Sequence, residues 1–143
     1  MQRCITASRT KEITLRYFLS FPGIARLGAF IALLLFVTFA FIPVLPFTMI
    51  GVEMVPEALL MARRMSALFL GISLIAWLVR DEDNSPLRRS VSASLAASMA
   101  ALALFGLWDF VQGSVGMGIW IAITVESFFA AALGFHARTA AKS

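Results

Sequence analysis

Four apolar stretches of about bilayer length, separated by short polar or proline-bearing breaks, leave this chain few ways to fold. They run over residues 24–42, 58–79, 91–111 and 117–136. A transmembrane helix needs roughly 20 residues to cross the hydrocarbon, and each stretch is about that long. In the second the fully apolar part, Met65 to Val79, is only 15 residues, so Arg63 and Arg64 fall within the helix near its outer end. Of the 143 residues 60% are hydrophobic and 14% charged, whereas an ordinary soluble domain is about 45–50% apolar. The sequence therefore predicts an all-α integral membrane four-helix bundle with short loops. Residues 24–136 form the four-span domain, 1–23 an N-terminal cytoplasmic or interfacial segment and 137–143 a cytoplasmic tail.

The N-terminal segment carries Arg3, Arg9, Lys11 and Arg16, with Ile13, Tyr17 and Phe21 at a spacing of four. This pattern suits a short helix lying on the membrane surface. Ser20-Phe21-Pro22-Gly23 breaks it. A basic lead before an apolar run is also the pattern of a secretory signal. The first run, however, ends in Ile42-Pro43-Val44-Leu45-Pro46 without a small-residue cleavage site, so it reads as a retained span. Residues 43–57 mix Pro43, Pro46 and Pro56 with Phe47, Met49, Ile50 and Val52. Such a linker folds back into the interface and caps the bundle. Pro56-Glu57 before Ala58 is a helix start, with a proline and an acid in the first turn.

Ten of the twelve basic residues fall on one side of this arrangement: Arg3, Arg9, Lys11, Arg16, Arg26, Arg80, Arg88, Arg89, Arg138 and Lys142. The positive-inside rule then puts both termini and the central hydrophilic loop in the cytoplasm, as expected for a multi-pass protein of a bacterial inner membrane. The net charge of +4 is thereby a topology signal. No basic run interleaved with aromatics points to nucleic acid.

Within the fourth stretch, Gly118, Ala122, Glu126, Ala130 and Gly134 recur every fourth residue, and all but the acid are small. Small residues at this spacing admit close helix packing in a membrane. The stripe rises only about 24 Å, so Glu126 sits near the midplane. An ionisable group there costs at least about 2.5 kcal/mol unless it faces protein or water, which makes it a candidate site. Arg63 and Arg64 lie roughly 7–8 Å outward from the centre of the second stretch, and Asp109 about 12 Å outward from the centre of the third. An arginine reaches across such a difference, and its planar fork matches a carboxylate. Arg63 or Arg64 is thus expected to pair with Glu126, with Asp109 or Glu57 holding the other arginine. The plainer readings are arginines snorkelling to headgroups, a hydrated Asp109 at a helix end, and a Glu126 that hydrogen-bonds Ser94 or Ser98. Ala67 and Gly71 continue the arginine face, Trp108 is an interfacial anchor, and Phe30, Phe36, Phe39 and Phe41 face lipid or a partner.

Other chemistry finds no foothold. One cysteine, Cys4, permits neither an intrachain disulfide nor a cysteine-rich metal site. One histidine, His136, excludes bis-histidine haem within one protomer. No phosphate-binding glycine loop, metal helix or nucleophile elbow is present, so no catalytic residue, metal or cofactor is identifiable.

The run Pro56-Glu57 leading into Ala62-Arg63-Arg64-Met65-Ser66-Ala67, then Gly71 and the closing Arg80, followed by two further spans, resembles the small four-helix bacterial inner-membrane proteins of the DoxX-like or unknown-function type. The resemblance implies a membrane subunit beside a quinone-linked oxidoreductase. It carries over no catalytic residue. Three functional expectations follow. The first is a non-enzymatic accessory or assembly subunit of a larger membrane complex, or a homo-oligomer, surrounded by lipid. The second is a small proton- or cation-coupled transporter using Glu126. The third is a membrane subunit of a quinone-linked or lipid-handling enzyme.

Overall fold

The computed structural model describes residues 20–53, 55–83 and 85–139. The surface helix expected from Ile13 and Tyr17, together with Cys4 and Lys142, lies outside the described residues. Among the described residues five helices follow one another: α1 (Phe21–Phe41), α2 (Val44–Met49), α3 (Pro56–Leu78), α4 (Pro86–Val111) and α5 (Ile119–Thr139). All but the short α2 are long and apolar enough to cross a membrane. The chain is a multi-pass membrane protein.

Local chemistry sets where the helices begin. Proline occupies the first turn of α1, α3 and α4, where its missing N–H falls on a position with no intrahelical partner. Ser20 Oγ accepts from the Gly23 amide and Ser85 Oγ from the Arg88 amide, each satisfying an orphan donor of its helix. The prolines, with the serine caps at α1 and α4, start α1, α3 and α4 a little before the first residue of each apolar run. At the other extreme α5 continues to Thr139, past the last apolar residue of its run.

The helices assemble as two antiparallel pairs, α1 with α3 and α4 with α5, which meet mainly where α1 crosses α5. Only about 17–22% of each span is buried, so most of every helix presents side chains such as Phe30, Leu78, Leu104 and Phe105 to its surroundings. In water that surface would be untenable; in hydrocarbon it is the ordinary solvent-facing side. Phe30 and Phe41 face out as the sequence suggested, whereas Phe39 stacks on Phe69 and meets Phe47 edge-on, joining α1, α2 and α3.

The pairs are pinned at both ends. At the end bearing Arg26, Arg80 and Arg88, the core comprises Phe21, Ile24, Ala25, Val79, Phe129 and Leu133. We refer to it as the basic end. Nearby, α1 and α5 approach closely at Gly28, where an added Cβ would lie 3.2 Å from the Phe129 ring. At the opposite end the linker caps the bundle as its composition suggested. The Gly116 amide donates to the Ile50 carbonyl at 2.6 Å, and the Met49 carbonyl rests directly on Gly118. Gly118 therefore admits the C-terminal end of the short α2, not the neighbouring span expected from its stripe, while Gly134 does face a span, with Ala96 of α4 opposite it.

Ser73 Oγ donates to the Ala29 carbonyl at 2.8 Å, a buried bond between α3 and α1. Interhelical hydrogen bonds of this kind contribute roughly 0.6 to 1.7 kcal/mol in membranes. Ser73→Ala should accordingly cost about 1 kcal/mol, read from denaturant unfolding in detergent, while Ser98→Ala, whose exposed hydroxyl bonds only its own helix at Ser94, should cost almost nothing.

Candidate functional site

Between the two pairs lies a cavity of about 350 Å³ to which all five helices contribute. Its walls are apolar side chains such as Ala32, Phe69, Leu95 and Val125, interrupted by two polar residues, Glu126 and Ser92. The volume falls in the range of roughly 300–1,000 Å³ typical of small-molecule sites.

Glu126 reaches the cavity because it shares a helix face with Ile123, Phe129 and Leu133, all buried. It lies three or four residues from two of them, within one turn. Among the described residues its carboxylate makes neither a hydrogen bond nor an ion pair: the salt bridges are Arg26 with Asp81 and Arg80 with Asp81. The acid thus lines the cavity as a half-buried side chain, without a polar partner among the described residues.

The expected pairing of Arg63 or Arg64 with Glu126 does not form. The buried positions of α3 are Ala62, Ser66, Ser73 and Ala76; Arg63 and Arg64 follow Ala62 by about 100° and 200° of rotation, which turns both away from the cavity. Both are exposed. Depth separates them too. Ser73 beside Ala29 and Gly28 beside Phe129 set Glu126 level with Gly71, so the arginines lie about 10–12 Å further along the axis. Gly71 itself has nothing within 4 Å of an added Cβ, so the Arg63-Ala67-Gly71 face is unpacked. Glu57 and Asp109 are exposed near helix ends and hold neither arginine. Ser94 and Ser98 are exposed as well and do not meet Glu126. The candidate residues of the sequence therefore separate into one cavity acid and four exposed charges.

A second polar feature emerges at the basic end. Ser92 is 1% exposed, lines the cavity, and its Oγ has no hydrogen-bond partner among the described residues. One turn earlier on α4, Arg88 lays its guanidinium over the Phe21 ring at 4.0 Å, and its Nε is buried without an acceptor among the described residues. Phe21 also lines the cavity and meets His136 edge-on. In the sequence Arg88 counted only towards topology, and Ser92 was one serine among several. The signal available was the spacing of four from Arg88 to Ser92, which places both on one helix face.

No group of three or more histidine, cysteine or acidic side chains placed to hold a metal occurs among the described residues. No family model, curated protein or solved structure matches the chain.

Proposed function

We propose that this is a non-enzymatic integral membrane protein that holds a lipophilic molecule between its two helical pairs, with Glu126 supplying a polar contact part-way along the site. The observation that carries this reading is an acid with no partner among the described residues, set in the wall of a largely apolar cavity. Leaving such a group unsatisfied costs about 1–3 kcal/mol. A site that tolerates this cost gains a contact for a bound molecule. By the positive-inside rule we place the basic end in the cytoplasm of a bacterium, with the cap formed by α2 on the outer side.

A second reading concerns the setting. Arg63 and Arg64 are exposed on an apolar helix and form no ion pair among the described residues. Cations at that depth find a carboxylate or a headgroup. We take this as support for an accessory subunit of a larger membrane assembly, with the arginines on the docking face.

One preparation tests both. Extraction into polymer-bounded native nanodiscs, followed by mass spectrometry of the lipophilic fraction, should show a compound enriched over bulk lipid. Val125→Trp, which fills the cavity, should reduce that enrichment several-fold. An unchanged lipid profile in the variant would remove the cavity reading. Recovery of a lone monomer with no co-purifying protein would remove the subunit reading.

A further inference from the structure

We propose that the basic end of the cavity is the headgroup site of an amphiphile with an anionic oxygen head, a carboxylate or a phosphate, held by Arg88 and Ser92 while its chain lies along the cavity towards Glu126. This rests on the cavity-binding reading above and adds the chemical class of the ligand and its direction.

The two unpartnered polar atoms at this end determine the class. Arg88 Nε carries a hydrogen and no lone pair to offer, so only an acceptor satisfies it. Ser92 Oγ is free to donate to the same acceptor. Both atoms are buried without a hydrogen-bond partner among the described residues, and they belong to residues one helical turn apart on α4. Ser92 lines the cavity and Arg88 reaches its end across Phe21. An oxygen acceptor that enters there and displaces the side chains now covering the two atoms would satisfy both, and an anionic one gains a charge-assisted bond from the guanidinium. Phe21 completes the arrangement by stacking beneath the guanidinium and walling the cavity beside it, which leaves the arginine little freedom to seek a partner elsewhere. Its remaining contact is long, 3.5 Å from Nη1 to the Glu82 carbonyl, and Asp83 in the preceding turn acts on it without forming an ion pair.

Direction follows from register. Gly106 beside Ile123 and Gly134 beside Ala96 set Glu126 level with Ala103, about 17 Å along the axis from Ser92. Between them the cavity wall is hydrocarbon, with Leu95, Met99 and Phe129 among its residues. A head at Ser92 therefore sends its chain through apolar surroundings before it reaches the acid. The opposite orientation would set an anionic head against the Glu126 carboxylate.

Fluorescence titration of the nanodisc-embedded protein tests this with three probes of equal chain length: a pyrene-labelled fatty acid, the matching alcohol and the matching alkyl phosphate. Wild type should bind at least one anionic probe tenfold or more tighter than the alcohol, in keeping with hydrogen bonds to charged groups. The tighter of the two anions identifies the head. Arg88→Gln should abolish the preference and Arg88→Lys should keep part of it; Ser92→Ala should weaken anion binding and leave the alcohol unchanged. Equal affinity for all three probes in wild type, with all lost in Val125→Trp, overturns the headgroup assignment and leaves the cavity reading standing. Saturable binding of none overturns both.

Discussion

Gly118→Ala should destabilise the bundle by about 3 kcal/mol, at the upper end of what overpacking a well-fitted site costs. The added methyl would overlap the Met49 carbonyl oxygen. That oxygen is backbone, so no rotamer change relieves the clash. The cap must lift instead, and with it the Gly116 to Ile50 hydrogen bond. Gly71→Ala is the internal control. A methyl there meets nothing within 4 Å, and replacing a helix-interior glycine gains roughly 0.5–1 kcal/mol. Denaturant unfolding in detergent, followed by tryptophan fluorescence, should thus move in opposite directions for two identical chemical changes. A loss at Gly71 equal to that at Gly118 would mean that the α3 face is packed after all.

Glu126→Leu should stabilise the empty protein by about 1–2 kcal/mol while lowering its ligand occupancy. The acid has no partner among the described residues, and exchanging an uncompensated polar group for a hydrocarbon of similar size removes its desolvation cost. A site residue that costs stability yet contributes to binding is a common trade-off. Thermal unfolding with and without bound lipophile separates the two effects: the leucine variant should unfold at a higher temperature when empty and gain less from ligand than wild type. Arg64→Gln combined with Glu126→Gln should give additive changes, because the two side chains share no contact. A coupling above about 1 kcal/mol would instead restore the ion pair.

The contrast between these two residues indicates what was legible in the sequence. The spans follow from run length against bilayer thickness, and the start of α3 from Pro56-Glu57, so helix positions agree within a few residues. The caps at Ser20 and Ser85, which start α1 and α4 three and five residues early, were missed. Depth was legible only coarsely: rise per residue is constant, but the helix register sets the arginines about 10–12 Å from the level of Glu126 instead of the roughly 7–8 Å expected. Rotation about the helix axis was not. A helix that is apolar all round shows no preferred face, so the Arg63 stripe and the Ala62-Ser66 stripe beside it were equally able to point inward. Ser66 and Ser73, polar residues repeating on one face of an apolar helix, carried the phase of α3. The same ambiguity favoured Ser94 and Ser98 on α4, where the buried serine is Ser92. The cavity itself was invisible, because it arises from how two pairs of helices meet.

The most direct test is the lipid accessibility of position 126. A spin label on Glu126→Cys, in a Cys4→Ser background and a lipid bilayer, should collide with dissolved oxygen far less often than the same label on Leu104→Cys or Phe30→Cys, both outward-facing. Low accessibility at 126 beside high accessibility at the two reference sites is the predicted result. Equal accessibility at all three would place the acid against acyl chains and contradict the cavity on which the proposed function stands.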